Sequence, residues 1–113
     1  LENSFDRVLI DSPCSGLGVL RRNPDTKWKL DLNQMNDLCQ TQKDILSRYS
    51  KMCKPGGIMV YATCSILKRE NEDQIKTFLE SPDGKNWTLL SELRLWPHQH
   101  NTDGFYAAVL KRN

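Results

Sequence analysis

Cys14 and Cys64 each close a short apolar run, in LIDSPCSG (9–16) and VYATCS (60–65), and each is held among small residues. A cysteine thiolate is both a strong nucleophile and a good leaving group. A thiol presented at the end of a strand therefore suits a reaction that adds covalently to a substrate and later eliminates it. Asp11 stands just before Cys14 and would bring acceptor oxygens to the same place. Taken singly, each cysteine reads as a buried strand-end thiol and Asp11 as a cap on the next turn. Two such cysteines in one chain favour the chemical reading.

The other two cysteines have a plainer role. Cys39 and Cys53 fall on the apolar stripe of an expected helix, where free cysteine acts as a small hydrophobe. No two of the four cysteines form a Cys-x-x-Cys pair, and His98 and His100 are remote from all of them. Neither structural zinc nor any other metal site is expected, and a disulfide framework is equally unexpected.

The elements that must position these groups can be read from periodicity. FDRVLIDSP, closed by Pro13, fits a buried strand with Asp11 at its carboxyl end. From Ser15 to Lys29 the chain is broken by Gly16, Gly18, Pro24 and Asp25, so it reads as a long functional loop. Leu32, Met35, Cys39, Ile45, Leu46, Tyr49 and Cys53 recur at helical spacing, with Asp31 and Gln34 as a capping box, predicting a helix from about 32 to 53 that KPGG ends. IMVYATCS is a second buried strand. A helix from about 69 to 80 would bury Ile75, Phe78 and Leu79, and WTLLSELRLW and GFYAAVLKR read as two more strands.

This order predicts an α/β sheet with parallel members and helical crossovers. In such sheets ligands bind outside the carboxyl ends of strands, where Asp11, Cys14 and Cys64 would emerge. Four strands with two crossovers leave one edge bare, a liability that suggests the carboxyl half of a larger domain. No Gly-x-Gly-x-x-Gly or P-loop pattern is present.

At 113 residues, 38% apolar and 27% charged, the chain has the length and composition of one globular domain. No run reaches the roughly 20 apolar residues that span a bilayer, and the amino terminus lacks a signal pattern; a cytoplasmic location is expected. The net charge of +2 does not announce nucleic-acid binding, but Arg21, Arg22 and Lys27 cluster in the long loop as candidate phosphate contacts. Trp28 reads as a core anchor, and His98 and His100 as solvent-exposed.

DSPCSGLGVLRRNPDTKW (11–28), KPGGIMVYATCSILKRENEDQI (54–75) and DGFYAAVLK (103–111) together resemble three consecutive motifs of the Sun family of RNA cytosine-5 methyltransferases. The LRRNPDTKW loop is most similar to that of members acting on bacterial small-subunit ribosomal RNA. Ser12 stands where the family often has alanine, and Lys68 and Arg69 where many members have a nearby proline.

The resemblance implies the carboxyl half of a Rossmann-like, S-adenosylmethionine-dependent methyltransferase sheet whose last strand is antiparallel. Residues 1–113 would be a partial catalytic domain, without the cofactor-binding amino half and the RNA-binding extension. It also implies roles: Cys64 as the nucleophile toward cytosine carbon 6, Cys14 as the group assisting release, and Asp11 at the active site beside the cofactor. Pro13 would shape the loop against the base and cofactor, Arg21, Arg22 and Lys27 would meet RNA phosphates, and a single-stranded ribosomal RNA would be the substrate. Two alternatives stay open: a DNA-type enzyme with Cys14 as nucleophile, and a non-catalytic RNA-binding fragment.

Overall fold

Four segments rich in β-branched and aromatic residues pair into one sheet in the computed structural model, which describes residues 2–14, 32–65, 67–95 and 104–113. The strands are β1 (Phe5–Asp11), β2 (Cys53–Thr63), β3 (Trp87–Leu95) and β4 (Phe105–Arg112). Helix α1 (Leu32–Ser50) joins β1 to β2, and a 3-10 turn (Lys68–Glu70) leads into α2 (Glu72–Glu80). A second 3-10 turn (Pro82–Gly84) precedes β3. The spatial order is β1-β2-β4-β3, with β1 parallel to β2 and β4 antiparallel to both its neighbours. The expected mixed sheet with an antiparallel last strand is what forms.

Strand alternation sends Ile10, Met59, Tyr61, Tyr106, Ala108 and Leu110 to one face, where they bury against Leu46 of α1 and Ile75 and Phe78 of α2. Phe78 meets Trp87 edge to face, with ring centroids 6.0 Å apart, an arrangement that suits the ring quadrupoles. Leu9, Val60, Val109, Ala107 and Leu93 share the opposite face by register. No helix among the described residues covers it.

Four expectations need correction. The first strand is not buried: Ile10 is its one buried residue and Leu9 is 72% exposed, because among the described residues β1 is a sheet edge with no helix over its outer face. The first helix ends at Ser50 instead of continuing to Cys53. Its last turns close through Met52 N–H to the Tyr49 carbonyl at 3.1 Å, and the Met52 carbonyl then accepts from Ser4 and Phe5 at 3.0 Å, starting the sheet.

Cys53 is consequently a fully buried residue that opens β2, not a helix-stripe residue. KPGG is likewise an irregularity inside β2, since the pairing steps from Phe5↔Cys53 to Arg7↔Ile58. Gly56 takes a positive φ of 83°, which favours glycine. A Cβ on Gly57 would sit 2.6 Å from Cys53 Sγ and 2.8 Å from the Asp6 carbonyl oxygen. The bulge is therefore built on the absence of two side chains.

Candidate active site at the carboxyl ends of β1 and β2

Parallel pairing fixes which residues leave the sheet together. Asp11 pairs with Ala62, and Ser12 N–H extends the ladder by donating to the Ala62 carbonyl at 2.9 Å. Beyond this point β1 gives way to Pro13 and Cys14, and β2 to Cys64 after Thr63. The sheet thus delivers both cysteines to one edge, as the sequence suggested. Asp11 and Pro13 are exposed, Cys14 is half-buried and Cys64 exposed. Arg21, Arg22 and Lys27, together with Asp25, Trp28, Asp31, His98 and His100, lie outside the described residues.

The remaining cysteines are poor candidates for chemistry. Burial pushes the Cys39 thiol up from its ordinary value against the nearby charge of Arg69, and it does the same to Cys53 against Arg112 and Arg7. A thiol held protonated is a weak nucleophile. Exposure therefore singles out Cys64, and the raised thiol of the equally half-buried Cys39 leaves Cys14 next.

Behind the exposed edge lies a buried polar cluster that sequence reasoning missed. Glu70, Gln42, Asn71, Ser65 and Thr63 are all fully buried. Buried polar groups are costly unless hydrogen-bonded, and these are joined to one another. Thr63 Oγ1 donates to Asn71 Oδ1 at 2.5 Å, accepts Ser65 N–H at 3.2 Å, and Asn71 Nδ2 donates to the Ser65 carbonyl at 2.9 Å. The Ser65 hydroxyl donates to Glu70 Oε2 and accepts Leu67 N–H at 3.0 Å. Every polar group of Ser65, the residue after Cys64, is engaged.

The other oxygen of the same carboxylate reaches the first loop. Gln42 Nε2 donates to Glu70 Oε1 at 3.1 Å and to the Pro13 carbonyl at 2.8 Å. Tyr61 donates its hydroxyl to the Glu70 carbonyl at 2.7 Å. Burial pushes that phenol well above its ordinary value, with Ser12 hydrogen bonding as the opposing influence, so Tyr61 stays a neutral donor. Ser12, at 4% exposure, also directs its hydroxyl to the Pro13 carbonyl at 3.3 Å. The departure from alanine at this position is absorbed by hydrogen bonding.

The described residues contain no group of three or more His, Cys, Asp or Glu arranged to hold a metal ion. None of their helices is long and apolar enough to cross a membrane.

Comparison with known proteins agrees with this arrangement. Residues 1–111 match the family described as 16S rRNA methyltransferase RsmB/F. Ribosomal RNA small subunit methyltransferase B of Shewanella oneidensis is 46% identical over 114 residues, covering 94% of this chain and 27% of that protein. The protein of the same name from Salmonella paratyphi B is 46% identical over 121 residues, covering 98% and 27%. Among solved structures, PH0851 superposes with a TM-score of 0.90 at 36% identity, covering 98% of this chain and 27% of that one. NSun6 from Pyrococcus horikoshii with SFG gives 0.82 at 27% identity, covering 96% and 30%. The chain spans about a quarter of the length of these relatives. The four-strand sheet is thus the Rossmann-like fragment that its motifs resemble, and the chain belongs to the RsmB/F family of 16S rRNA methyltransferases.

Proposed function

We propose that the full-length protein carrying this chain methylates carbon 5 of cytosine in RNA, 16S ribosomal RNA being the substrate its relatives' family name points to. The observation that carries the reading is the Asp11↔Ala62 register, which delivers an exposed Cys64 and a half-buried Cys14 to one sheet edge.

Carbon 5 of cytosine is a weak nucleophile until a thiolate adds to carbon 6. Cys64 forms that S–C6 bond, and the displaced π electrons make carbon 5 an enamine carbon able to take a methyl group. A base at the site then takes the proton on carbon 5, the electron pair of the C5–H bond re-forms the ring double bond, and Cys64 leaves as thiolate with the pair of the C6–S bond. Cys14 assists this elimination. S-adenosylmethionine, when bound, supplies the electrophilic methyl; a relative was solved with SFG, an analogue of it. The exposed Asp11 carboxylate fits such a cationic, amine-bearing cofactor and also the cytosine amino group, since its oxygens only accept. Pro13 shapes the loop at the same edge. Arg21, Arg22 and Lys27 are proposed to contact RNA phosphates, which position a strand without reading its sequence. The target cytosine must leave its stack for a thiol to reach carbon 6. Because the chain is about a quarter of its relatives' length, the isolated 113 residues are expected to be inactive.

The test is a denaturant-stable protein–RNA adduct, sought in the full-length protein as wild type, Cys14→Ala and Cys64→Ala. Accumulation only in Cys14→Ala supports these roles. Accumulation only in Cys64→Ala reverses them and gives the DNA-type arrangement, and no adduct in any variant overturns the covalent reading in favour of an RNA-binding module.

A further inference from the structure

The side-chain amide of Gln42 has two N–H groups, and the structure gives each a partner in a different place. One reaches the Pro13 carbonyl, immediately before Cys14, at 2.8 Å, and the other reaches Glu70 Oε1 at 3.1 Å. The second oxygen of Glu70 accepts the hydroxyl of Ser65, immediately after Cys64. A chain of side-chain bonds therefore runs from the backbone beside one cysteine to the residue beside the other, across sequence separations of 29 and 28 residues at its Gln42 end.

We infer that Gln42 and Glu70 are positioning residues that tie the Cys14 loop to the Cys64 loop and so hold the two thiols in a fixed relation. The inference rests on the two-cysteine reading proposed above. Both side chains are fully buried, and a hydrogen bond between buried groups is stronger and less forgiving of rearrangement than one in water. A simpler apolar contact between α1 and the Lys68–Glu70 turn would stabilise the fold without the desolvation cost of a carboxylate and an amide. What the polar pair adds is direction. A carbonyl held by one N–H and a hydroxyl held by one oxygen fix the orientation of the two peptides flanking the thiols, which apolar packing cannot do. Two groups acting in sequence on one ring need that fixity, because small misplacements of reacting groups are costly in rate. Gln74 supports the bridge from behind, its Nε2 donating to the Cys39 carbonyl at 2.9 Å and lying 3.4 Å from Gln42 Oε1.

The test uses the full-length protein with Gln42→Met, which keeps length and removes both bonds, Glu70→Gln, which keeps an oxygen and an amide in place of the carboxylate, and Glu70→Ala. Gln40→Met, on the exposed side of α1, is the control. Two readouts are needed. The first is the rate of iodoacetamide alkylation at each cysteine by mass spectrometry, which requires no turnover. Gln42→Met is expected to speed alkylation of Cys14 about tenfold while leaving the core Cys53 protected, as a local loosening should. The second is methylation kinetics: kcat is expected to fall by about 10 to 100-fold with KM for RNA changed less than about twofold, and the protein–RNA adduct to build up. Glu70→Gln should recover most of the activity that Glu70→Ala loses.

Unchanged Cys14 alkylation and unchanged kcat in Gln42→Met would overturn the inference, and so would Cys14 and Cys53 becoming reactive together, the mark of general unfolding. If no adduct forms even in Cys14→Ala, the covalent reading fails on its own account, and the alkylation pattern alone decides whether the tie exists.

Discussion

Thr63 and Asn71 hold each other across the exit of β2: the threonine hydroxyl donates to Asn71 Oδ1 at 2.5 Å, and Asn71 Nδ2 turns back to the Ser65 carbonyl at 2.9 Å. Between those two anchor points lies Cys64, whose thiol is exposed while both flanking residues are fully buried. The arrangement fixes the backbone on both sides of Cys64 without covering its side chain.

Removing the asparagine should therefore cost more than removing the threonine. Asn71→Ala leaves the Thr63 hydroxyl without an acceptor and the Ser65 carbonyl without its donor in a dry site, and is expected to destabilise by about 2–4 kcal/mol. Thr63→Val keeps the shape and should cost about 1–2 kcal/mol. In a double-mutant cycle by chemical denaturation the two should be clearly non-additive, because they share partners; additive losses would show that the pair is not coupled.

The two glycines of the β2 bulge are expected to separate sharply. Gly57→Ala would place a methyl carbon 2.6 Å from Cys53 Sγ and 2.8 Å from the Asp6 carbonyl oxygen, and should cost about 3 kcal/mol through forced backbone movement. Gly56→Ala meets open space at a φ of 83° and should cost about 1–2 kcal/mol from backbone strain alone. Thermal melts of the two variants give the order directly.

Thiol chemistry offers a map of the site that needs no substrate. With limiting iodoacetamide at about pH 8, alkylation should proceed in the order Cys64, Cys14, Cys39, Cys53, because Cys64 is exposed and burial raises the Cys39 and Cys53 thiols. Reaction of Cys39 or Cys53 ahead of Cys14 would contradict the raised thiols that set them apart.

Alkaline stability carries the same information. Burial raises the Cys39 and Cys53 thiols above their ordinary 9.0 in the folded state, and it raises the Tyr61 and Tyr106 phenols above their ordinary 10.0. Each group keeps its proton when folded and gives it up more readily when unfolded. The native state then binds more protons, so stability is full below pH 9.0 and is lost as pH rises from there through the folded-state values. Denaturation midpoints measured from neutral to strongly alkaline pH should fall, and the alkaline loss should be smaller in Cys53→Ala. An equal loss in the variant would exclude Cys53 as a contributor.

The strand-exit positions of Cys14 and Cys64 were legible in the sequence: an apolar run stops at proline or small residues, and parallel topology then brings two such stops to one edge. Asp11 was legible for the same reason. Gln42 was not, since a glutamine in TQKDIL looks like any residue on the wet side of a helix, and only the fold shows that it turns inward at 0% exposure. Glu70 was hidden by its company, because LKRENEDQIK reads as a solvated charged face although this one carboxylate is fully buried. Cys53 was misplaced because its spacing from Leu46 and Tyr49 suits a helix stripe as well as the buried start of a strand. Periodicity alone does not separate the two, and the backbone bonds that end α1 at Ser50 are not written in side-chain types.

β4 lies in the interior of the sheet between β2 and β3, yet it is the last of the four strands to be synthesised. During translation β2 has only β1 beside it, and β3 has no partner in this sheet, until residues 105–112 have left the ribosome. Tyr106 pairs with Thr63, so the strand that carries Cys64 gains its second neighbour only at that moment. Non-local pairings of this kind form slowly and leave strand edges open meanwhile. The topology that assembles the two cysteines therefore also delays their assembly, and a nascent chain stalled before residue 105 should hold both thiols in an unfinished site.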